Sequence, residues 1–160
     1  MSKKISLEAV KALREKTSAS INDYRTALES SGGDKHKALE LLRQRGAAIA
    51  EKRQGRTAAQ GRVESYVHHD GRLAALVEVN CETDFVARTP EFTQFCKDVA
   101  MQVAAMNPQA STTLLEQPFI KDQSLSVGDL LKALIAKTGE NVVIRRIARF
   151  AVGETAGTAT

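Results

Sequence analysis

The chain has 160 residues, a hydrophobic content of 42%, a formal net charge of +4 and no tryptophan. This length and composition predict a globular protein of one or two small domains, with a core built mainly from alanine, leucine and valine. No apolar segment approaches the length of a membrane span, and the first residues do not have the pattern of a signal peptide. Two cysteines, Cys81 and Cys96, are too few for a disulfide framework and have no zinc-site spacing, so we expect reduced thiols and a cytosolic setting.

Positive charge is concentrated in the first part of the chain. Residues 1–62 contain 14 Lys/Arg and 7 Asp/Glu, whereas the remaining residues contain 9 and 12. Six of the basic residues fall between positions 43 and 62, with a single acidic residue, Glu51, among them. A basic segment of this kind indicates an acidic partner, which is either a nucleic acid or an acidic protein surface.

The first 54 residues show three amphipathic helical patterns separated by short breaks. The first helix is predicted to follow Ser6, the second to run from Ile21 to Ser30, and the third to begin after Asp34 and end at Gly46, with a further helical piece up to residue 54. Helices this short are not stable alone, so they are predicted to pack as a small bundle, domain 1–54. The apolar positions predicted to face inward are Ile21, Tyr24, Ala27, Leu28, Ala38, Leu41 and Leu42.

Residues 55–61, bounded by glycines, predict a linker, and residues 62–153 predict a second domain with the order β-β-α-α-β. Two strands flank the turn at Asp70-Gly71, a helix runs from Pro90 to Met106, residues 109–113 form a loop, a second helix follows Ser126, and residues 141–152 form the last strand. Met101 and Met106 are expected to fill the core. The fold class is therefore α+β, with a three-stranded antiparallel sheet covered by helices on one face and a disordered tail at 154–160.

The segment between the second strand and Pro90 has the sequence Glu-Thr-Asp-Phe-Val-Ala-Arg and begins at Glu82. Phe85 and Val86 lie where the chain turns from a strand to a helix, beside Asp84, and no periodicity assigns them to either element. The aromatic side chain could cover the core of its own domain, or it could insert into another protein. General frequencies favour the first interpretation.

Nothing in the sequence predicts catalysis. The chain has no glycine-rich phosphate loop and no nucleophile with a suitable base, so we expect neither an enzyme nor a cofactor. His68 and His69 are adjacent, and adjacent strand residues point to opposite faces, so a metal site at this pair is not expected.

Three segments resemble the elongation factor Ts family: residues 10–17, residues 78–87, which include Thr83-Asp84-Phe85-Val86, and residues 139–146, which begin Gly-Glu-Asn. The resemblance covers nearly the whole chain. It implies that the first domain is ubiquitin-associated-like and that the protein is a guanine-nucleotide exchange factor for the GTPase elongation factor Tu, acting in translation elongation in the cytoplasm or in an organelle stroma or matrix. It also favours insertion into a partner as the role of Phe85.

The resemblance further implies which residues contact the partner. In this family an Asp-Phe pair enters between two helices of the G domain and displaces the elements that hold the magnesium ion and the phosphates, so that GDP leaves. Asp84 and Phe85 match this pair, and Thr83 and Val86 flank it. The first domain of the family binds a G-domain helix, and the matching positions in this chain are Ile21, Asn22, Arg25, Lys52 and Arg53.

The chain also departs from the family pattern. Ser18 and Ser20 replace glycines, Ile21 and Asn22 replace two methionines, and Gln102 replaces a histidine at a partner contact. Residues 109–113 occupy the place of a helical insertion, and one copy of the core is present where many members have two. Short members form homodimers, and some pair through a cysteine in the last strand, where this chain has Ala148.

Three functional hypotheses therefore follow from the sequence. The first is nucleotide exchange on elongation factor Tu, bound in its GDP-loaded and nucleotide-free states, with no membrane and no direct nucleic-acid partner expected. The second is a basic RNA-binding module at residues 43–62, against which the scarcity of aromatic residues counts. The third is an adaptor that binds the GTPase without releasing its nucleotide.

Overall fold

The computed structural model describes residues 19–154, which form two compact units. One, called the helical unit below, contains residues 19–54 and 132–139. The other, called the sheet unit, contains residues 55–131 and 140–154. The predicted helix after Ser6 lies outside the described residues, as does nearly all of the predicted tail, so the three-helix bundle stays a prediction.

The helical unit is built on helices α1 (Ile21–Ser30) and α2 (Lys35–Arg53). The Ser20 hydroxyl accepts a hydrogen bond from the Asp23 N–H at 3.2 Å, which caps α1. At the start of α2 the Asp34 carboxylate accepts from the N–H groups of His36 and Lys37, and these bonds lower the pKa of Asp34. One cluster of buried apolar side chains joins the two helices at positions predicted to face inward: Tyr24, Ala27, Leu28, Ala38 and Leu42.

Two predictions for this unit are wrong. Helix α2 does not end at Gly46 but continues to Arg53 as one helix. The residues after Gly46 are mostly alanines and long polar side chains with high helix propensity, which outweigh the cost of about 1 kcal/mol for an interior glycine. Ile21 is 60% exposed and does not face inward, since the buried stripe of α1 begins one turn later at Tyr24.

The remaining elements, in chain order, are β1 (Gln60–Val67), β2 (Leu73–Cys81), α3 (Asp84–Ala87), α4 (Pro90–Met106), α5 (Ser111–Glu116), β3 (Pro118–Phe119), β4 (Asp122–Ser126), α6 (Val127–Thr138) and β5 (Val142–Ala151). Strands β1, β2 and β5 form an antiparallel sheet in the order β1-β2-β5. The predicted α+β class and three-stranded sheet are thus confirmed. The domain boundaries stay predictions, although β1 already begins at Gln60, inside the predicted linker.

The turn at Asp70-Gly71 joins β1 to β2 as predicted. Gly71 has φ +69°, and its N–H donates to the His68 carbonyl at 2.8 Å. The expectation that the two histidines point to opposite faces is wrong, because β1 ends at Val67 and their rings lie 4.3 Å apart in the turn. Within residues 19–154, no three His, Cys, Asp or Glu side chains are grouped so as to hold a metal ion.

Helix α4 packs against one face of the sheet, called the inner face below. The helix begins at Pro90 with Thr89 as its cap, and its buried side is apolar because Phe92, Phe95, Val99 and Val103 recur at helical spacing. Met106, predicted to lie in the core, is 46% exposed instead. It is the last residue of the helix, and Asn107 turns the chain away with φ +47°.

The segment after α4 is more regular than predicted. The expected loop at 109–113 contains the start of α5, and a short β3–β4 hairpin follows it. Gln102, buried in α4, holds this hairpin: its side-chain N–H donates to the Pro118 carbonyl at 3.0 Å and its oxygen accepts from the Ile120 N–H at 2.9 Å. Ser126 caps α6 as predicted, with its hydroxyl accepting from the Asp129 N–H at 3.0 Å.

No helix between residues 19 and 154 combines the length and the apolar character that crossing a lipid bilayer requires.

Gly61 lies in β1 where the backbones of β1 and β2 come closest. Its φ is +146°, and a Cβ there would overlap the Val79 carbonyl oxygen and lie 2.8 Å from the Asn80 Cα. Gly61→Ala is therefore expected to push β1 away from β2 and to lower the free energy of unfolding by about 3 kcal/mol or more. Guanidinium unfolding followed by circular dichroism measures this.

Gly71→Ala is the matched control. Gly71 also has positive φ, but no atom lies within 4 Å of its Cβ position. Only backbone strain remains, at a cost of about 1–2 kcal/mol. Equal losses in the two variants would contradict the argument from close approach.

Candidate functional site

The corner between β2 and α4 is folded into the four-residue helix α3. The Thr83 hydroxyl caps it by accepting from the Val86 N–H at 3.4 Å, and Pro90 starts the next helix immediately afterwards. Ala87 is buried and anchors the helix, while the Phe85 side chain is 81% exposed. A large aromatic side chain at this exposure contributes almost nothing to its own core, so the interpretation of Phe85 as a core residue is excluded.

The Glu140 carboxylate holds the start of this corner from the neighbouring strand end. Its Oε2 accepts from the backbone N–H groups of Glu82 and Thr83, at 3.1 and 3.0 Å. Its Oε1 accepts from the Thr83 hydroxyl at 2.6 Å. Hydrogen bonds to an ionised acceptor are stronger than neutral ones, so this contact fixes residues 82–83.

A second set of hydrogen bonds reaches the same corner, with Asn141, next to Glu140, as the donor. The Asn141 N–H donates to the Glu82 Oε1 at 2.7 Å, and the buried Asn141 side chain donates to the Arg56 carbonyl at 2.7 Å. The Arg56 guanidinium lies 3.3 Å from the other Glu82 oxygen. The segment before β1, the corner after β2 and the turn before β5 are therefore joined by side chains.

Asp84 and Arg88 bring both signs of charge next to Phe85. Their side chains lie 3.1 Å apart, and both are largely open to solvent. An exposed pair of this kind contributes little to stability, so the Asp84 carboxylate can exchange Arg88 for a group on another molecule at small cost. Val86, the next residue in the chain, is half-buried.

The other predicted contact residues lie in the helical unit. Ile21, Asn22 and Arg25 are exposed on the first turns of α1, at a spacing that puts them on adjacent positions of the helix surface. Arg25 pairs with Glu29 at 2.9 Å. Lys52 and Arg53 are the last two residues of α2, where positive charge is favoured by the helix dipole.

The face of the sheet opposite α4, called the outer face below, is rich in exposed apolar side chains. Phe150 is 69% exposed there, and Val63, Val67 and Leu76 are also exposed. Its polar part is the ion pair of Glu78 and Arg146 at 2.6 Å, and the hydrogen bond from Arg146 lowers the pKa of Glu78. The rows across the strands are Val67–Ala74–Phe150, Ser65–Leu76–Ala148 and Val63–Glu78–Arg146.

Sequence reasoning missed the most connected residues of the site. Glu140 and Asn141 belong to a segment that carried the family resemblance, but their bonds reach residues 57 to 85 positions away, and no local pattern predicts such pairs. The family resemblance places Gln102 where other members have a partner-contacting histidine. It is fully buried and bonded within its own unit, so this side chain does not offer a surface contact.

Both cysteines are free and buried, as expected for reduced thiols. The Cys81 thiol donates to the Thr83 carbonyl at 3.1 Å and so forms part of the corner. Burial raises the pKa of Cys81 to about 11 and that of Cys96 to about 12. Neutral, buried thiols act as small apolar groups, so they support the site without reacting.

Comparison with known proteins identifies the family. The family model described as Elongation factor TS matches residues 3–112 and 82–159. Elongation factor Ts of Carboxydothermus hydrogenoformans is 42% identical over 195 residues, covering 94% of this chain and 90% of the relative. That of Rubrobacter xylanophilus is 42% identical over 189 residues, covering 90% and 97%. A chloroplastic elongation factor Ts from Porphyra purpurea is 41% identical over 199 residues, covering 96% and 90%.

The chain belongs to the elongation factor Ts family, a family of translation elongation factors. It is shorter than the aligned region of its relatives. Since 94% of 160 residues is about 150, about 45 of the 195 aligned positions in the first of these alignments have no residue in this chain.

The raised thiol pKa values give a prediction for labelling. At pH 8 a thiol with a pKa of about 11 is ionised to about 0.1%, so iodoacetamide should not label Cys81 or Cys96 in the folded protein and should label both after unfolding. Mass spectrometry measures the labelling. Fast labelling of the folded chain at pH 8 would contradict the buried positions of the thiols.

The same shifts predict how stability depends on pH. Because the folded pKa lies above the unfolded value of 9.0, the neutral thiols stabilise the fold fully below pH 9, and this contribution is lost as the pH rises through about 11.

Proposed function

We propose that this chain is a guanine-nucleotide exchange factor for elongation factor Tu, and that it inserts Asp84 and Phe85 into the G domain to release GDP. The observation that carries the proposal is the 81% exposure of Phe85 on helix α3, which is capped by Thr83 and has Ala87 buried at its end. The protein acts in this view by binding, without catalysing a covalent reaction, and it needs no cofactor of its own.

The energetics require more than the inserted ring. Suppose that the GTPase is opened and closed in a ratio of about 1:99. Reversing this ratio requires the factor to bind the opened state more tightly than the closed state by about 5.5 kcal/mol. Burying one phenylalanine side chain yields about 1.5–3 kcal/mol. Phe85 therefore converts binding energy from other contacts into distortion of the magnesium and phosphate site. Asp84 adds a carboxylate that competes for hydrogen-bond donors or repels phosphate.

The helical unit contains the residues that we assign to those further contacts. We propose that Ile21, Asn22 and Arg25 on α1, with Lys52 and Arg53 on α2, bind a helix of the G domain. Exposed apolar area at Ile21 and the two basic residues that end α2 support this assignment. The two ligands are linked: binding of this chain lowers the affinity of the GTPase for GDP, and GDP lowers its affinity for this chain by the same factor. Binding of the chain therefore favours release of GDP.

We further propose that two copies associate through the outer face of the sheet. The face is apolar at its centre, with a charged pair at one side, as in interfaces between identical chains. Ala148, at the position where some short family members carry a pairing cysteine, lies on this face opposite Leu76. A dimer would supply two core copies, each with its own α3. Within each chain we propose a helical domain at 1–54, a linker at 55–61 and the core at 62–153. The site of action would be the cytoplasm or an organelle stroma or matrix.

Removing the inserted ring tests the proposed mechanism. Phe85→Ala is expected to weaken binding to elongation factor Tu by no more than about tenfold, because most of the roughly 1.5–3 kcal/mol from burying the ring is used to distort the magnesium and phosphate site. The acceleration of GDP release should fall much further. Stopped-flow release of fluorescent GDP, with binding measured separately by titration, separates the two effects.

Met106→Ala is the control, because it removes another exposed apolar side chain of the sheet unit to which no role is assigned. Equal losses of binding and release in Phe85→Ala would contradict insertion. Binding by the unaltered chain without any acceleration of release would favour the adaptor hypothesis.

The dimer is tested by placing a charge on the outer face. Phe150→Glu is expected to leave the fold intact, because the side chain is already exposed, and to convert a concentration-dependent dimer into a monomer in sedimentation-velocity measurements. Met106→Glu, which changes the last residue of α4, should leave the dimer unchanged. A monomer at all concentrations for the unaltered chain would contradict this association.

A further inference from the structure

We propose that Glu140 is the positioning residue of the inserted pair: through Thr83, its carboxylate holds α3 so that Phe85 is presented outward in a fixed orientation. This inference rests on the proposed exchange function. It concerns a side chain that is not predicted to contact the partner and that lies in a segment distant in sequence from Phe85.

The bonds run in an unbroken series from Glu140 to the helix. Glu140 accepts the Thr83 hydroxyl at 2.6 Å, and the same Thr83 oxygen accepts the Val86 N–H, which follows Phe85 directly. Glu140 also binds two consecutive backbone N–H groups, those of Glu82 and Thr83. A displacement of this carboxylate would therefore change the direction of the chain at the first residue of α3.

Helix α3 is otherwise oriented by the burial of Ala87 and by the Thr89 hydroxyl, which donates to the Val86 carbonyl at 2.8 Å. It contains four residues, too few for a helix to be stable by itself, and only Ala87 among them is buried. The exposed ring of Phe85 makes no core contact that could fix its direction. The surface pair of Asp84 and Arg88 is too open to solvent to act as an anchor.

Glu140 is itself fixed by its neighbours in the chain. Gly139, at φ +70°, turns the chain out of α6, and Asn141 is held on the other side by its bonds to Glu82 and Arg56. The Glu140 carboxylate and the Asn141 N–H both join the turn before β5 to the corner, and Glu140 is the one that reaches Thr83, the cap of α3.

The test is a double-mutant cycle on GDP release from elongation factor Tu, with the full chain, at saturating concentrations. Glu140→Ala is expected to lower the maximal release rate by about tenfold or more, because three bonds to a charged acceptor are lost, while the half-saturating concentration changes by less than about threefold. In a Phe85→Ala background, Glu140→Ala should lower the maximal release rate by less than about a further twofold, because Glu140 acts through Phe85.

Two additional variants sharpen the result. Glu140→Gln should retain most of the rate, because its side-chain carbonyl can still accept from both backbone N–H groups. Asp98→Ala removes a carboxylate that binds Lys121 at 2.7 Å elsewhere in the sheet unit, and it should release GDP at the unaltered rate. If Glu140→Ala does not fold by circular dichroism, Thr83→Val replaces it in the cycle, with the same expected dependence on Phe85.

The outcomes separate this inference from the function on which it rests. A full additional loss from Glu140→Ala in the Phe85→Ala background, or no loss in the unaltered background, overturns the positioning role while insertion of Phe85 stands. If Phe85→Ala releases GDP at the unaltered rate, insertion itself fails, and the role of Glu140 fails with it.

Discussion

The hydrogen bonds between the Glu140 carboxylate and residues 82–83 join the end of β2 to the turn before β5. The contact holds the first residues of the corner. The four-residue helix α3 that follows carries its largest side chain, Phe85, in water. In most proteins an aromatic residue at such a corner would be drawn into the core. Here the corner is held by polar bonds, so the ring is free for another surface.

The sheet behind this corner has two faces of different character. The inner face is covered by α4, and the buried residues there form a conventional apolar core. The outer face combines Phe150, Leu76 and two valines with one ion pair, and it has no covering element among the residues of the sheet unit. The outer face is the surface at which we propose that a second copy of the chain binds.

The sequence allowed the main elements to be predicted because their signals are local. Pro90 after Thr89 marks the start of α4, Asp70-Gly71 marks the hairpin, and Ser126 marks α6. The error at Gly46 arose because the helix propensity of the residues after it outweighs one interior glycine, and the error at Ile21 because the buried stripe of α1 begins only at Tyr24. The exposure of Phe85 followed from the family resemblance, not from periodicity. The contact of Glu140 with Thr83 could not be predicted, because hydrogen bonds across 57 positions leave no periodic pattern.

The Gln102 side chain makes the attachment of the β3–β4 hairpin insensitive to moderate changes in pH. The attachment of the β3–β4 hairpin to α4 relies on a neutral amide that uses its donor towards Pro118 and its acceptor towards Ile120. An imidazole in this position would change its charge between about pH 5 and 8 and would then lose its acceptor. The amide has no such transition, so mild acidification leaves this junction in the same protonation state.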